Sequence, residues 1–290
     1  MKFLRPIPAL MILLVFFSCG KEQSVEKKEQ APGDSTDVPS EGTLLIREVT
    51  RADGAADSTV YTFSYDTQKK ITKLKIGHEG MGNQAYANEE LRLYRNSNGV
   101  VERFVDYVTY YNNGQDPDSV VYIMHLNAQS QFTYAIRTYY RSNGAQTRDS
   151  LMYGYNDKGL VNLFQAYSLG DDDKYFESQR SQYTYDAKGN ITVFNILFRD
   201  DANSTDPPQI FNYEYDDKTS AANFGKDIVI TGLTLEGLTS PSNLVKLTEI
   251  GGDNQSATFV YTYNNNNQPT VAIVNDFLNS GTATIKYYYQ

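Results

Sequence analysis

A short turn sequence returns along the chain at a nearly constant spacing. In the stretch YTYDAKGNITVF, which spans 183–194, an aromatic-polar alternation leads into a turn and then into a second alternating run. The arrangement occurs seven times, and its turns open with Asp66, Asn96, Asn127, Asn156, Asp186, Asp216 and Asn264. Their separations are 30, 31, 29, 30, 30 and 48 residues. A fixed period of this length indicates one supersecondary unit that is repeated along the chain.

Each repeat is predicted to be a β-hairpin with a tight turn at one end and a looser loop at the other. Asp and Asn open turns by hydrogen-bonding to the backbone that follows. Gly99, Gly159 and Gly189 lie three residues further on, where a positive φ is needed. The incoming strands alternate with period two, as in Phe211-Asn-Tyr213-Glu-Tyr215, which is the pattern of a strand.

The outgoing strands are less one-sided. After the turn at Asp186, alternation predicts Ile191, Val193 and Leu197 on one face and Phe194, Ile196 and Phe198 on the other. Such strands are expected to be covered on both faces, or to belong to a sheet whose concave side is partly shielded from water.

The whole chain is predicted to be all-β, an antiparallel meander of about sixteen strands with little helix. The interval of 48 residues covers an irregular insertion at 217–243, after which the strand pattern resumes. Sixteen strands exceed what an open twisted sheet usually tolerates. We therefore expect a broad, strongly curved sheet, with a closed barrel or a two-layer sandwich as alternatives.

The N-terminus predicts three segments. Residues 1–18 read as a lipoprotein signal peptide, with Lys2 and Arg5 ahead of an apolar stretch. Cys19, the only cysteine, lies where such a signal places the lipidated residue. Residues 19–42 are the lipidated Cys and a disordered tether, too polar to offset the entropy of ordering, with a reach of about 26 Å. The hairpin repeat domain is 43–290.

The net charge and the predicted cell-envelope location limit the classes of partner that are expected. Removing Lys2 and Arg5 changes the formal charge from −9 to −11, and an acidic protein repels nucleic acid and anionic headgroups. Nucleic acid is therefore not expected as a partner, and the membrane contact is expected through the lipid anchor. Lys21 and Glu22 partly resemble the export signal of Bacteroidota surface lipoproteins. That resemblance favours the cell surface over the periplasmic face of the outer membrane.

The repeat also carries a family resemblance. Tyr-x-Tyr-Asp-x-x-Gly-x-Ile, at 183–191, resembles the tyrosine-aspartate repeat of Rhs-type proteins. SNLVKL at 242–247, YTYNNNNQPTV at 261–271 and the closing IKYYY are similar to a Bacteroidota lipoprotein family of unknown function. The resemblance covers about 44–290. It implies a curved antiparallel sheet and no known chemistry.

Tyrosine is the most unusual residue type, with 24 copies beside no Trp. A row of exposed Tyr on a concave sheet could stack on sugars or hold peptides, whereas cross-strand Tyr ladders also stabilise a sheet by themselves. The tyrosines predicted to face a ligand are Tyr183, Tyr185, Tyr213, Tyr215, Tyr261 and Tyr263.

No catalytic residue, cofactor or metal site is predicted. His78 and His125 are the only histidines and read as surface residues on different hairpins. The loop carboxylates, such as Asp171–Asp173, Asp200-Asp201 and Asp216-Asp217, fit turn chemistry and solubility. Glycan hydrolysis by two such carboxylates across a cleft remains an alternative.

The predicted function is a non-catalytic binding or scaffold module of the cell envelope, for a glycan or a protein. A purely structural envelope protein is the third possibility. A membrane-spanning barrel is disfavoured because adjacent Glu102 and Arg103 would present a charge on each face of one strand.

Overall fold

A computed structural model describes residues 44–80, 87–110, 118–141, 144–170, 173–221, 240–250, 256–276 and 281–290. The predicted signal segment, Cys19, the tether, Asp171, Asp172 and most of the predicted insertion lie outside the described residues. The described part of the chain consists of strands joined by turns: β1 Leu45–Ala52, β2 Ser58–Tyr65, β3 Ile71–Glu79, β4 Ala87–Arg95, β5 Val101–Tyr110, β6 Asp118–Leu126, β7 Phe132–Tyr140, β8 Gln146–Tyr155, β9 Val161–Leu169, β10 Tyr175–Tyr185, β11 Ile191–Phe198, β12 Gln209–Thr219, β13 Ser242–Ile250, β14 Ser256–Tyr263, β15 Pro269–Asp276 and β16 Gly281–Tyr289.

The strands form a closed antiparallel barrel. Each strand pairs with the next along the chain, and β1 pairs with β16 from Leu45↔Tyr289 to Ala52↔Ala283. The predicted meander is confirmed, and among the predicted forms of closure the barrel is observed. Closure leaves no unpaired strand edge that could recruit another chain. The strands on either side of the insertion, β12 and β13, pair directly, so the barrel is continuous across it.

The barrel has two unlike ends, called here the turn end and the loop end. The turn end holds the tight turns after β2, β4, β6, β8, β10 and β14. Both chain ends of the barrel also lie there, because the Leu44 N–H donates to the Gln290 carbonyl and the Gln290 N–H donates to the Leu44 carbonyl. The loop end holds the connections that alternate with the tight turns, and three of them, 80–86, 111–117 and 199–208, are longer than the five-residue tight turns.

The tight turns share one hydrogen-bond pattern. Asp186 Oδ1 accepts from the N–H of Lys188 at 2.8 Å and of Asn190 at 2.9 Å. The same two bonds form at Asp66, Asn96, Asn127, Asn156 and Asn264. The third residue after each has a positive φ, and these residues are Lys69, Gly99, Ser130, Gly159, Gly189 and Asn267. Asp216 differs, because its Oδ1 accepts from the N–H of Lys218 and of distant Asn243.

Next to each of these tight turns the outgoing strand contains one extra residue, a β-bulge. In the hairpin β10–β11, Tyr185 pairs with Ile191 and Thr184 pairs with Val193, so Thr192 has no opposite residue. The Thr192 hydroxyl donates to the Thr184 carbonyl at 3.3 Å. Equivalent bonds are made by Thr72, Thr133 and Thr270.

The bulge changes which residues share a face. Directly paired residues lie on the same face of a sheet, so Ile191 faces the same way as Tyr185, and Phe194 the same way as Tyr183. Ile191, Phe194 and Ile196 are all buried. The prediction that Ile191 lies opposite to Phe194 was therefore wrong, because strict alternation fails across a bulge.

The core lies inside the barrel. Inward side chains from strands around the whole barrel form one contiguous apolar cluster. Its fully enclosed members include Leu74, Phe132, Leu151, Phe164 and Tyr289. Burying a large apolar side chain contributes roughly 1.5–3 kcal/mol, so this filled interior is the main source of stability.

Candidate functional site

All six tyrosines predicted to face a ligand point into the barrel. Tyr183 and Tyr213 are buried, and the others are partly buried. Tyr183 stacks on Phe194 with ring centroids 5.3 Å apart, and Phe194 stacks in turn on Phe211. These rings pack against other residues of the same chain. Their predicted contact with a ligand stays a prediction.

The tyrosine hydroxyls at the turn end join neighbouring hairpins. Tyr185 donates to the Val161 carbonyl at 2.6 Å, and Tyr215 donates to the Ile191 carbonyl at 2.7 Å. The same kind of bond is made by Tyr65 to Leu45, Tyr261 to Leu244 and Tyr289 to Pro269. In one repeat the tyrosine is replaced by Arg95, whose Nη2 donates to the Ile71 carbonyl at 3.0 Å. Burial raises the pKa of Tyr215 to about 12, which keeps its hydroxyl a donor at neutral pH.

The two histidines lie apart. The face of the sheet that points away from the barrel interior is called here the outer wall, and the face that points into the interior is the inner wall. His125 is exposed on the outer wall, where its ring stacks on Tyr134 with centroids 4.0 Å apart. His78 belongs to β3 and is partly buried, although the sequence placed it in a loop. Among the described residues, no group of three or more His, Cys, Asp or Glu side chains could hold a metal ion.

Asp201 Oδ1 accepts from the Asn203 N–H at 2.7 Å, a contact that fits turn chemistry. Asp216 and Asp217 belong to β12 rather than to a loop, so their predicted place was wrong. Asp216 accepts hydrogen bonds from the distant residues Asn243 and Tyr263, whereas Asp217 lies 3.8 Å from Lys218.

A buried polar cluster that the sequence analysis missed lies on the inner wall of β4–β8. It comprises Glu89, Asp106, Tyr122, Arg137, Tyr139 and Asp149. The strand register aligns Tyr122 with Arg137 and Arg137 with Asp149. The alternation of Glu89 with Leu91 and Leu93, and of Asp106 with Phe104, was the available sequence signal for an inward carboxylate.

Arg137 and Asp149 form a buried ion pair within this cluster. Arg137 donates to Asp149 Oδ2 from Nη2 at 2.6 Å and from Nε at 3.2 Å, and the two side chains are only 6% and 11% exposed. The guanidinium lies 5.1 Å from the ring centroid of Tyr139 and 6.0 Å from that of Tyr122. The pair is thus enclosed by aromatic rings rather than by water.

Glu89 and Asp106 are diagonal neighbours across β4 and β5, on the face where Leu91 is buried. Burial, followed by the neighbouring Asp106, raises the pKa of Glu89 to about 8. Burial also raises the pKa of Asp106 to about 7. Asp106 Oδ1 is enclosed and accepts no hydrogen bond from the described part of the chain.

The outer wall carries an apolar patch on β6–β8, called here the β6–β8 patch. It consists of Ile123, His125, Tyr134, Ile136 and Met152. The register pairs Ile123 with Ile136, His125 with Tyr134, and Tyr134 with Met152, so the five side chains are neighbours. Ile123, Tyr134 and Met152 are 42%, 43% and 49% exposed. Their exposure is high for large apolar groups that lie side by side.

Elsewhere on the outer wall, several strands carry charges in their middle, while Val260 and Ile273 form a second exposed apolar pair, at 62% and 40%. Glu90 pairs with Lys75 and Arg92, and Arg92 lies over the Tyr107 ring. Glu102 and Arg103 are both exposed because Glu102 is the bulge residue of β5, and Arg103 lies over the Tyr94 ring. The prediction that these two residues put a charge on each face of the strand was wrong, because the bulge leaves both of them exposed on the outer wall. No helix in the described ranges is long and apolar enough to cross a membrane.

Comparisons with known proteins bear on the fold. No protein-family model and no curated protein sequence matches the chain. A porin-like protein from Bacteroides uniformis is similar in structure with a TM-score of 0.51 and 13% identity, covering 86% of this chain and 99% of that one. A porin-like protein from Bacteroides vulgatus covers the same shares with a TM-score of 0.43 and 12% identity. The similarity to the first protein, at 13% identity, concerns the fold alone. The similarity to the second protein supports no further conclusion.

Proposed function

We propose that this protein is a lipid-anchored, non-catalytic binding module of the bacterial outer membrane, and that its partner is a protein bound at the β6–β8 patch. The observation that carries the proposal is the distribution of apolar groups between the two walls of the barrel. The inner wall is filled by the protein's own side chains, whereas the outer wall leaves Tyr134 and Met152 beside each other in solvent.

The composition of the patch favours a protein over a glycan. Tyr and Met are enriched at protein interfaces, whereas a sugar platform needs flat rings flanked by hydrogen-bonding groups. The patch combines one exposed tyrosine with branched and flexible aliphatic groups. His125 stacks on Tyr134 and holds that ring in place, which lowers the entropy cost of binding.

The outer wall also supports a position in water beside the membrane rather than within it. Charges such as Glu90, Arg92, Glu214 and Lys246 lie on the outer face of their strands. In the acyl region, a basic side chain at the midplane costs about 2–4 kcal/mol. An anchor at Cys19 and a flexible tether would join the barrel at its turn end. The outer wall and the loop end would then be free to meet a partner.

Site-specific photo-crosslinking in the cell envelope tests the proposed surface. A photoreactive phenylalanine analogue replaces Tyr134 in one variant and, as a matched control, Ile273 in another. Ile273 lies on β15 and is similarly exposed, at 40%. We expect one discrete protein adduct from position 134, absent from position 273 and lost when Met152→Ser is added. No adduct, or the same adducts from both positions, would contradict the proposed surface.

Three further measurements test the lipid anchor, the location and the partner class of the proposal. Metabolic labelling with an alkyne fatty acid should mark the full chain and not its Cys19→Ala variant, and protease treatment of intact cells should cleave it if it lies on the cell surface. A panel of envelope and dietary glycans should leave the melting temperature unchanged. A saturable shift of the melting temperature with one glycan would indicate a carbohydrate ligand instead of a protein partner. Turnover of a glycan would contradict the proposal that the protein is non-catalytic.

A further inference from the structure

We propose that the partner bound at the β6–β8 patch is a protein with an acidic segment, whose carboxylates contact a row of basic side chains beside the patch. The acidic segment rests on the proposed function and adds the chemistry of the chain that would bind there. The row, called here the basic strip, lies on the outer wall of β3–β5 and consists of Lys73, Lys75, Arg92 and Arg103.

The strand register makes the basic strip continuous with the β6–β8 patch. Lys73 pairs with Arg92 across β3 and β4, and Arg103 pairs with Ile123 of the patch across β5 and β6. Directly paired residues share a face, with their Cβ atoms about 4.5–5.5 Å apart. A chain that covers Ile123 therefore lies within reach of the Arg103 guanidinium.

The strip carries a surplus of positive charge in an acidic protein. The described carboxylates on the outer wall of β3–β5 are Glu79, Glu90 and Glu102. Glu79 is already paired with Arg47 of β1. The four cations of the strip thus face two carboxylates, which leaves two positive charges in excess, whereas the whole chain carries −9. A basic surface of this kind beside an apolar patch favours an anionic partner.

Tyrosine rings hold two arginines of the strip in place. The Arg103 guanidinium lies 4.5 Å from the ring centroid of Tyr94, and the Arg92 guanidinium lies 4.8 Å from that of Tyr107. A ring fixes the guanidinium but brings no negative charge. Among the described residues, no carboxylate forms an ion pair with Arg103. A fixed guanidinium of this kind binds a carboxylate with little loss of side-chain entropy.

The other flank of the patch carries the same sign of charge. Arg148 of β8 is exposed and pairs with Thr138, the next outward residue of β7 after Ile136 of the patch. Asp149 points inward, where it binds Arg137. Among the described side chains, the outer wall of β6–β8 presents no carboxylate. The patch is thus an apolar centre with a basic rim, which fits apolar side chains flanked by carboxylates.

The net negative charge of the chain does not prevent contact with an acidic segment. At physiological ionic strength, exposed charges further apart than about 8 Å are largely screened from each other. A carboxylate bound to Arg103 is at hydrogen-bond distance, so the local surplus acts on it more strongly than distant acidic residues do. Arg also binds a carboxylate through two parallel N–H···O bonds. The strip therefore favours an acidic protein segment over a neutral glycan.

Charge reversal on the strip tests the acidic segment, with the photo-crosslinked adduct at position 134 as the readout. Lys73→Glu/Arg103→Glu should lower the adduct yield by more than about tenfold, because like charges then face each other. Lys246→Glu/Lys286→Glu is the matched control, since it changes the net charge equally on the outer wall of β13 and β16. This control should keep the adduct. Equal yields with and without the strip substitutions, or equal losses in both variants, would overturn the proposal.

Carbodiimide coupling detects the partner's carboxylates without changing any charge. In the cell envelope, a water-soluble carbodiimide joins a lysine amine to a carboxylate in contact with it through an amide bond. We expect a discrete protein adduct of the full chain, its loss in Lys73→Arg/Lys75→Arg and its retention in Lys286→Arg. The double variant keeps both positive charges, so its adduct at position 134 should remain. No protein adduct, or one that survives in the double variant, would contradict contact between carboxylates and the strip.

The two readouts separate the chemistry of the partner from the proposed surface. An adduct at position 134 that is insensitive to the strip would contradict the acidic segment alone. Absence of the adduct at position 134 would contradict the proposed function, and with it the binding of an acidic segment at the patch. A lipid adduct in place of a protein adduct at that position would assign the strip to anionic headgroups and overturn the acidic protein.

Discussion

The two ends of the barrel solve the problem of buried polar groups in opposite ways. At the turn end, polar side chains bond to backbone groups: Tyr185 donates to the Val161 carbonyl, and the Asp186 carboxylate accepts from the Lys188 N–H. Towards the loop end, the inner wall instead holds pairs of ionisable side chains, Arg137 with Asp149 and Glu89 beside Asp106. A bond from a side chain to the backbone can be repeated from hairpin to hairpin, whereas each pair of side chains must be completed by a particular neighbour.

We infer from this difference that the two ends have different structural roles. The turn end repeats the same bonds in successive hairpins and forms the regular frame of the barrel. The loop end carries the connections between hairpins, which differ in length, although 141–145 and 170–174 make the same pair of backbone bonds as the tight turns. We therefore expect mutations to have large, partner-dependent effects at the charged pairs and small, similar effects at the turns.

The largest effect is expected from breaking the buried ion pair. Arg137→Met leaves the Asp149 carboxylate buried without its guanidinium and should lower the free energy of unfolding by about 3–5 kcal/mol. Chemical denaturation measures this value. Lys246→Met is the control, because its ion pair with Glu214 is exposed and should contribute at most about 1 kcal/mol. Recovery of stability in Arg137→Met/Asp149→Leu would confirm that the cost comes from the unpaired charge. Equal losses of stability in Arg137→Met and Lys246→Met would refute it.

A smaller effect is expected from removing one turn carboxylate. Asp186→Ala removes two backbone hydrogen bonds and one from the Asn190 side chain, and should cost about 1–2 kcal/mol in the free energy of unfolding. The same substitution at Asp157, an exposed residue of the preceding turn, should have no measurable effect. If Asp186→Ala and Asp157→Ala unfold with the same free energy, the shared turn bonds do not stabilise the barrel.

The Asp186 turn also makes the stability of the fold depend on pH. Burial would raise the pKa of Asp186, but hydrogen bonds from Asn190 and Lys188 lower it below its usual value. Its contribution is therefore present above about pH 4 and is lost as pH falls. Amide exchange near this turn should accelerate in acid in the wild type and less so in Asp186→Ala.

Loss of one inter-hairpin bond should have an effect of about 1 kcal/mol. Tyr185→Phe keeps the ring but leaves the Val161 carbonyl without its donor. Tyr134→Phe, on the exposed outer wall, is the matched control and should unfold as the wild type does. The comparison uses thermal unfolding followed by circular dichroism. A Tyr185→Phe variant as stable as Tyr134→Phe would mean that water replaces the bond.

The smallest effect concerns the left-handed turn position. Lys69 has φ 62°, where a side chain is strained, so Lys69→Gly should raise the free energy of unfolding by a few tenths to about 1 kcal/mol. Gly159→Ala makes the reverse change at φ 72°, where a Cβ would meet only the Gln131 side chain at 3.6 Å. It should lower stability by about 1 kcal/mol. Changes of the same sign in both variants would show that factors other than backbone strain dominate.

The strand count and the turns could be predicted because both depend on short stretches of sequence. Residues Tyr183–Asn190 contain the alternation, the turn opener and the glycine that the hairpin needs. The bulge at Thr192 was missed because it shifts the alternation by one residue, although a Thr six positions after the turn opener recurs at Thr72, Thr133 and Thr270. The predicted ligand role for Tyr185 rested on its face alone, since its acceptor, the Val161 carbonyl, lies 24 residues away.

Local sequence was thus sufficient for the hairpins, their period and the all-β class, because turn hydrogen bonds and alternation act within a few residues. Closure of β1 onto β16, the pairing of Arg137 with Asp149, and the meeting of Glu89 with Asp106 depended on the tertiary structure. These features arise when strands align in register, and register is decided by the packing of the whole inner wall rather than by any one hairpin. The same alignment placed Tyr183 and Tyr213 in the core, packed Tyr185, Tyr215 and Tyr261 against it, and brought Tyr134 and Met152 together on the outer wall.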